Sequence, residues 1–481
     1  MNLKIILKVL GLLLLVEGVA MLLAMLVAII YNESDIATFL ISAAINLGVG
    51  GLITALTWKA KKDIGKREGF IIVTMVWVVF SLFGSFPYMI SGSIPNFTDA
   101  FFETISGFTT TGSSILNDIE ALPHGILFWR SITQWLGGMG IIVLSLAILP
   151  VFGIGGMQLF IAEVPGPTPD KISPRITQTA KTLWGIYMLF TIVETLLLWI
   201  GGMSFYDAIC HSFTTMATGG FSTKQASIAY WSSPFIQYVI TFFMFLAGMN
   251  FTLSYMAIRG RFSNVFKDEE FRYYWIIIVS FTALITLGLF LTSQLGLEQA
   301  FRDSLFQVVS IVTTTGYATA DYLLWKPILT MLIFALFFFG GSAGSTGGGI
   351  KIMRIVVLAK NGYYELKRLI HPHAIIPVKF NRHSVDSKIV TNVLAFFMLY
   401  MVIFFVSTII FTLIEPDMES SMGAVATSLG NIGPGLGSVG PAENFFHIKP
   451  IGKWFLSFLM LLGRLELFTV LVLFSPSFWK E

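Results

Sequence analysis

The sequence has little charge and almost no cysteine. Only 12% of its 481 residues are Asp, Glu, Lys or Arg, whereas soluble domains carry roughly 25%. This scarcity of charge excludes a water-soluble protein. The single cysteine, Cys210, excludes an internal disulfide bond and a cysteine-based metal site. The net charge of +3 gives no reason to expect a nucleic-acid partner.

Hydrophobic residues, by contrast, make up 55% of the chain. They come in runs close to the ~20 residues that a helix needs to cross a bilayer, which predicts an all-α polytopic protein of the lipid bilayer. The first two runs, 3–31 and 36–58, predict two transmembrane helices in the N-terminal segment 1–67. The second run is followed by five basic residues, Lys59, Lys61, Lys62, Lys66 and Arg67. Because basic loops stay in the cytoplasm, we expect the N-terminus to be cytoplasmic as well.

A short glycine turn recurs along the rest of the chain. The phrase Thr-Thr-Thr-Gly-Ser at 109–113 returns in altered form at 216–221, 312–317 and 430–435. The sequence aligns four central glycines, Gly112, Gly219, Gly316 and Gly433, at a period of about a hundred residues, and a fixed period indicates an internal repeat. We expect four such units to surround one axis.

Each turn follows an apolar stretch that is too short to span a bilayer and that suits a re-entrant half-helix. These stretches are 97–108, 205–216, 299–312 and 418–429, and they open near the acids Asp99, Asp207, Glu298 and Asp417. Longer apolar runs flank each one, so the unit is a span, a half-helix, the turn and a second span. The predicted pore repeats are 68–161, 162–272, 273–382 and 383–481. Basic linkers on one side and acid-bearing loops on the other agree with ten spans in total.

The repeated turn has the residue types that a cation site needs. Rings of backbone carbonyl oxygens replace the water shell of a monovalent cation without a fixed charge, so the ion can both enter and leave. Glycine permits positive φ, which lets successive carbonyl groups face one side. A half-helix that ends at such a turn directs its negative C-terminal end at the ion. The sequence therefore predicts a cation filter made of one turn from each repeat.

The four-fold unit with these turns resembles the Trk/Ktr/HKT superfamily of potassium transport proteins. The stretch Leu-Gly-Asn-Ile-Gly-Pro-Gly-Leu-Gly at 429–437 and the two extra N-terminal helices resemble its bacterial TrkH branch. The resemblance implies a potassium-channel-like pore in the bacterial inner membrane, with potassium as the transported ion and no organic cofactor. It also implies a homodimer and a cytosolic nucleotide-binding regulatory ring of the TrkA type.

Carried onto this chain, the resemblance and the turn chemistry give the expected potassium filter: Thr110, Thr111, Gly112, Ala217, Thr218, Gly219, Thr314, Thr315, Gly316, Asn431, Ile432 and Gly433. In plant relatives a serine at the first filter glycine accompanies sodium permeability, so glycine at all four positions favours potassium. The fourth turn has Asn-Ile in place of Thr-Thr, which predicts an imperfect four-fold filter.

A glycine-rich stretch interrupts the second span of the third repeat. It consists of Gly340, Gly341, Ser342, Ala343, Gly344, Ser345, Thr346, Gly347, Gly348 and Gly349. Each glycine costs about 1 kcal/mol against alanine in a helix, so a break at membrane depth is expected. The alternatives are a flexible linker and a phosphate-binding loop, although the order of a P-loop motif is missing. The family resemblance supports an intramembrane gating loop.

Arg464 lies in the last predicted span. A buried arginine is expensive and usually faces a pore or a partner. The resemblance places it just below the filter, where it would repel cations and contact the glycine-rich stretch. The alternative is a packing salt bridge to another helix; Glu466, two positions on, points to a different helix face and is not the expected partner.

Three other function classes remain to be weighed. A proton- or sodium-coupled potassium carrier working by alternating access often has inverted repeats, whereas the four repeats here run in the same orientation, which favours a gated pore. A membrane enzyme needs clustered acids and histidines or a nucleophile with a base, and the spans contain no such cluster. A structural scaffold has no need of four glycine turns.

Overall fold

The computed structural model describes residues 1–60, 65–138, 140 and 176–480, and this part of the chain is mostly helical. Six helices are long and apolar enough to cross a membrane, and counting two sharply bent helix pairs as one span each gives up to eight. The other two predicted spans correspond to His124–Gly138, whose continuation lies outside the described residues, and to the shorter helix Pro327–Leu336. The protein is therefore a multi-pass helical membrane protein, as predicted.

The N-terminal pair and the first two repeats contain the following helices. They are α1 (Leu3–Ile30), α2 (Ile36–Leu56), α3 (Lys66–Gly84), α4 (Phe86–Ile90), α5 (Phe97–Phe108), α6 (His124–Gly138), α7 (Ile176–Ile200), α8 (Phe205–Met216), α9 (Pro234–Gly248), α10 (Phe251–Ile258) and α11 (Phe262–Lys267). The two half-helices among them are α5 and α8, which match the predicted stretches.

The third and fourth repeats follow the same order. Their helices are α12 (Glu269–Thr292), α13 (Leu297–Val312), α14 (Pro327–Leu336), α15 (Ile352–Ile370), α16 (Ser387–Phe411), α17 (Met418–Gly430), α18 (Pro450–Arg464), α19 (Phe468–Leu471) and α20 (Pro476–Trp479). Between α15 and α16 a two-stranded antiparallel hairpin pairs β1 (Lys379–Phe380) with β2 (His383–Ser384). The half-helices here are α13 and α17.

Local capping fixes where the half-helices begin. The Asn96 side chain accepts the backbone N–H groups of Thr98 and Asp99, and Ser204 accepts that of Asp207. Asp417 accepts the N–H of Ser420 in the same way. Asn, Ser and Asp are the residues that best satisfy the free N–H groups of a helix start. Only α13, which starts after Gly296, has no side-chain cap among the four.

The second spans are more broken than the sequence predicted. In repeat 2, α9 and α10 meet at 112°, and in repeat 4 the chain bends by 111° after Arg464. The apolar runs 233–258 and 450–473 predict one continuous span each, so the two bends correct this prediction. Glu466 and Leu467 take φ of 52° and 58°, which ends the helix in repeat 4. In repeat 2 the break leaves the Gly248 carbonyl oxygen at the end of α9 without a helical partner. The glycine-rich stretch supplies one, because Ser342 N–H donates to this oxygen at 2.8 Å.

Polar side chains concentrate inside the fold and large apolar ones outside. Thr110, Thr218, Thr314 and Asn431 are at most 1% exposed, whereas Leu287 and Phe405 on the spans are each 57% exposed. This reversal suits a protein whose outer solvent is hydrocarbon and whose buried polar groups find partners inside. The turns therefore lie at the centre of the molecule.

Candidate functional site

The four turns share one backbone conformation. One residue in each turn is left-handed although it is not glycine: Thr110, Thr218 and Asn431 with φ 53°, and Thr314 with φ 57°. Two positions later a glycine also has positive φ: Gly112 at 83°, Gly220 at 74°, Gly316 at 82° and Gly433 at 104°. A positive φ is a genuine outlier for a β-branched residue, and each such residue costs of order 1–3 kcal/mol. Recurrence of the same strain in four places indicates a common purpose.

At the left-handed residue each half-helix ends with the same backbone hydrogen bond. The next residue's N–H reaches back five positions: Thr111 to Ser106, Gly219 to Thr214, Thr315 to Ser310 and Ile432 to Thr427, over 2.9, 2.9, 2.8 and 3.0 Å. This is the pattern of a Schellman cap, in which a left-handed residue satisfies the last helical carbonyl groups. The half-helices therefore stop at the turns for a local reason.

The four glycines close a ring. A Cβ atom added to Gly112 would lie 2.2 Å from the carbonyl oxygen of Gly219 in the next repeat. A Cβ atom added to Gly220 would lie 2.0 Å from the Thr315 carbonyl oxygen, and one added to Gly316 would lie 1.9 Å from that of Ile432. At Gly433 the added Cβ atom would lie 2.9 Å from the carbonyl oxygen of Thr111, which completes the circle. Each turn therefore packs its glycine against a carbonyl group of the following turn, and no side chain fits between them.

This geometry corrects the alignment of the second turn. The sequence paired Gly219 with the other three glycines, but the backbone angles pair Gly220 with them. Gly219 instead stands at the level of Thr111, Thr315 and Ile432, whose carbonyl groups form the contacts of the ring. Because Gly219 and Gly220 are adjacent, the repeated Thr-Gly pattern alone could not decide which of the two aligns with the glycines of the other turns.

Hydrogen bonds near the turns join each repeat to the next. Between repeats 1 and 2, Gln134 on α6 donates its Nε2 to the Gly219 carbonyl at 2.6 Å, and its Oε1 accepts from Phe221 N–H at 3.1 Å. The other repeats are joined by Tyr317 Oη to the His211 carbonyl at 3.1 Å, Tyr322 Oη to the Gly435 carbonyl at 2.7 Å and Asn431 Nδ2 to Thr111 Oγ1 at 2.9 Å. These bonds hold the turns in one arrangement.

A buried ion pair supports turns 1 and 2. Arg130 Nε lies 2.7 Å from Glu103 Oε1, and the two side chains are 3% and 0% exposed. Arg130 also donates to the Ser222 carbonyl at 2.9 Å and lies 3.6 Å from the centre of the Phe221 ring. Glu103 accepts the Ile115 N–H at 2.9 Å. Sequence reasoning missed Gln134, Glu103 and Arg130. For Glu103 and Arg130, a charge inside an apolar stretch was the available signal.

The glycine-rich stretch lies directly against the turns. Gly348 N–H donates to Thr314 Oγ1 at 2.7 Å, and Thr346 Oγ1 donates to the Met216 carbonyl at 3.1 Å. Its two ends meet, because Gly340 N–H donates to the Ile350 carbonyl at 2.8 Å. The Lys351 ammonium, buried beneath it, donates to the Gly347 carbonyl. The stretch is thus a closed loop packed under turns 2 and 3, and we refer to 340–349 as the glycine loop.

Arg464 joins the glycine loop to the first turn. Its Nη1 donates to Thr110 Oγ1 at 3.1 Å and to the Thr346 carbonyl at 2.9 Å. Its Nη2 donates to the Gly137 carbonyl at the end of α6 at 2.6 Å. Glu466 forms its ion pair with Arg354 on α15. The structure thus brings the sequence-predicted turns, glycine loop and arginine into one site.

The acids at the half-helix starts are already engaged by neighbours. Asp99 Oδ1 lies 2.6 Å from Lys453 Nζ, and Asp207 Oδ1 accepts from Thr223 Oγ1 at 2.6 Å. Hydrogen bonds from the Ser420 hydroxyl and N–H lower the pKa of Asp417. Within the described ranges, no group of three or more His, Cys, Asp or Glu is placed to hold a metal ion.

Four half-helices whose C-terminal turns form a closed ring are typical of one class of protein. This class is the multi-pass ion transporters in which the ion path is lined by backbone carbonyl groups. Residues 35–481 match the family model described as "TrkH: Cation transport protein". The chain belongs to this TrkH cation transport protein family. The family transports ions and carries out no enzymatic reaction.

Relatives extend over the whole chain. The Trk system potassium uptake protein TrkH of Escherichia coli (strain K12) is 44% identical over 492 residues, covering 100% of both chains. The protein of the same name from Halomonas elongata is 40% identical over 484 residues, with the same coverage. The crystal structure of the potassium transporter TrkH from Vibrio parahaemolyticus is similar with a TM-score of 0.90, at 40% identity and 100% coverage of both chains. The four-repeat fold is thereby confirmed.

Proposed function

We propose that this protein takes up potassium through a filter formed by the four turns. The observation that carries the proposal is the closed ring, in which each glycine packs against a carbonyl group of the next turn. The filter would consist of the twelve residues predicted from the sequence together with Gly220, the glycine that completes the ring. Carbonyl dipoles bind a dehydrated monovalent cation without trapping it, and four half-helix C-termini add negative potential.

Control of the pore is assigned to the glycine loop and Arg464. Both lie on one side of the ring, and Arg464 contacts the first turn and the loop together. A guanidinium group next to the ion path repels cations. A loop of small residues can move between two positions at low cost, as a two-state gate requires. We infer that ions pass when the loop and Arg464 shift away from the ring.

The wider setting follows from the family. The relatives are named as parts of a Trk system, which supports work with other Trk components. We propose a homodimer in the bacterial inner membrane, with a cytoplasmic N-terminus and a nucleotide-binding ring of the TrkA type on the basic face. We also propose four pore repeats, each of which would contribute one turn to the ring. Their boundaries are 68–161, 162–272, 273–382 and 383–481.

The direct test of the filter is Gly112→Ser. A Cβ atom there would lie 2.2 Å from the Gly219 carbonyl oxygen, so that oxygen must leave its place in the ring. Losing a contact worth about 1 kcal/mol changes relative permeability about fivefold. We expect the rubidium-to-sodium flux ratio in proteoliposomes to fall by about this factor.

The matched control is Gly92→Ser. Gly92 has φ of 74°, but an added Cβ would meet no heavy atom within 4 Å. This variant carries the same backbone strain away from the ring, so its flux ratio should equal that of the parent protein. A Gly112→Ser protein that is folded and keeps the parent ratio would show that turn 1 is not part of the filter.

A further inference from the structure

Glu270 connects the glycine loop to α12, the first spanning helix of the third repeat. It lies in the first turn of α12 and is 5% exposed. Its Oε1 accepts the backbone N–H of Ala343 at 2.8 Å and that of Met353 at 3.1 Å. Ala343 belongs to the glycine loop, and Met353 begins the helix that follows it. One carboxylate oxygen therefore ties together the loop and the start of α15.

Helix capping does not account for this side chain. The N-cap of α12 is Asp268, whose side chain accepts the N–H of Phe271 at 2.9 Å. Glu270 is left free to accept from other elements, and both of its acceptor contacts go outside its own helix. The two bonds join the glycine loop and α15 to the same side chain, so Glu270 links these two elements to α12.

Backbone hydrogen bonds close the neck of the glycine loop, which makes it one structural unit. Its neck is closed by Gly340 N–H to the Ile350 carbonyl at 2.8 Å and by Ile352 N–H to the Gly341 carbonyl at 3.3 Å. Its outer contacts include the break in repeat 2, where Phe251 N–H donates to the Gly344 carbonyl at 3.1 Å. Displacing the loop therefore requires a small number of identifiable bonds to break, and the bond from Ala343 N–H to Glu270 is one of them.

The two acids before Glu270 reach the β-hairpin between α15 and α16. Asp268 Oδ2 accepts from Asn381 Nδ2 at 2.8 Å, and Glu269 Oε2 accepts the Asn381 N–H at 2.9 Å. Glu269 also forms an ion pair with Lys360 on α15. The hairpin lies in the basic linker that the positive-inside rule predicts to be cytoplasmic. Three consecutive acids thus connect a surface hairpin with the buried loop.

We propose that Glu270 is a positioning residue that latches the glycine loop in its closed place, and that displacement of the hairpin or of α15 releases it. The proposal rests on the proposed function, in which the loop obstructs ion passage. The hairpin and α15 form the side on which a regulator would act. A partner that binds the displaced arrangement better would shift the population towards the released loop.

The test uses the full chain in proteoliposomes without any other Trk component. Glu270→Ala removes the acceptor and leaves two N–H groups unpaired, and Glu270→Gln keeps the shape but loses the charge. We expect basal rubidium flux to rise about tenfold for Glu270→Ala, because two backbone N–H groups lose their acceptor, and by a smaller factor for Glu270→Gln, whose side-chain oxygen can still accept. The rubidium-to-sodium ratio should stay at the parent value, because the ring is untouched. Glu365→Gln, an exposed acid paired with Arg368 on α15, should leave the flux unchanged.

Loop release has its own readout. With Cys210→Ser removing the single native thiol, Ala343→Cys reports loop exposure through its rate of modification by a water-soluble thiol reagent. The rate should increase when Glu270→Gln is added. A purely structural role for Glu270 would leave both this rate and the basal flux at parent values in folded protein, and that result would overturn the proposal.

Deletion of residues 341–349 tests the gating role of the glycine loop separately from the role of Glu270 as its latch. The ends of the deleted segment are already adjacent, so the chain can close. If the deletion raises basal flux while the Glu270 variants do not, the latch is wrong and the gating loop stands. If the deletion itself leaves flux at or below the parent value, the proposed gating role of the loop fails.

Discussion

Single residues hold the backbone strain of the ring. Three threonines and one asparagine take φ between 53° and 57°, a conformation that threonine avoids when unconstrained. Thr109 and Thr111 share a hydroxyl contact of 2.8 Å, and Thr313 and Thr315 repeat it at 2.7 Å. Such strain persists only where neighbouring bonds fix the residue, so the polar groups behind the turns decide the shape of the site.

The sharpest residue-scale prediction concerns Gln134. Its amide holds the Gly219 carbonyl and the Phe221 N–H, so Gln134→Leu leaves two buried backbone groups without partners. An unpaired buried group costs about 1–3 kcal/mol. We expect turn 2 to lose its place in the ring, and the rubidium-to-sodium flux ratio to fall by about tenfold.

Gln237→Leu is the matched control for this change. Gln237 is also a buried glutamine on a span, and its Nε2 donates to the Trp231 carbonyl at 2.9 Å, outside the turns. It should lower thermal stability without changing the flux ratio. If Gln134→Leu behaves in the same way, Gln134 supports the fold and not the filter.

The limits of sequence reasoning are also clearest at this scale. The turns were found from the sequence because glycine after threonine recurs at a long period, and Arg464 because charge inside a span is rare. The register of turn 2 was misassigned because Gly219 and Gly220 fit the pattern equally well. Gln134 has no periodic partner, so its bond across repeats becomes visible only once two distant segments are packed together.

At the level of elements, the half-helices depend on the spans that flank them. The Glu103–Arg130 pair fastens half-helix α5 to span α6 and, through the Ser222 carbonyl, to turn 2. Removing one member of a buried ion pair strands the other charge and costs about 3–5 kcal/mol. Glu103→Gln or Arg130→Met should therefore lower the thermal unfolding temperature of the purified protein markedly.

Arg302→Met provides the comparison, because its partner Glu298 is 60% exposed. Exposed pairs contribute about 0–1 kcal/mol, so this variant should unfold close to the parent temperature. The double variant Glu103→Gln/Arg130→Met should be more stable than the sum of the single effects predicts. Additive losses would show that the two side chains do not act as a pair.

The sequence predicts which segments form helices, but it does not predict most of the breaks within them. Apolar length predicted the spans, and only the break with six glycines in ten residues was visible in advance. The bends of 112° and 111° in repeats 2 and 4 contain no comparable glycine run. They occur where backbone groups find partners in the glycine loop or where Glu466 and Leu467 turn left-handed. Tertiary contacts of this kind have no local sequence signature.

For the whole molecule, one chain builds a ring from four unequal parts. Turn 4 uses Asn431 and Ile432 where turns 1 and 3 have two threonines. A Cβ atom added to Gly433 would lie 2.9 Å from the Thr111 carbonyl oxygen, which is farther than the corresponding distances at the other three glycines. Unequal turns predict imperfect selectivity of the proposed filter. The same orientation of all four repeats favours a pore over alternating access.

The central claim is passive, selective potassium passage, and rubidium uptake into proteoliposomes at fixed membrane voltage tests it most directly. Potassium should compete with rubidium best, sodium less and lithium least, and the uptake should be the same with and without an imposed proton gradient. Uptake that runs against the rubidium gradient only when a proton or sodium gradient is imposed would contradict the account and would establish a coupled carrier.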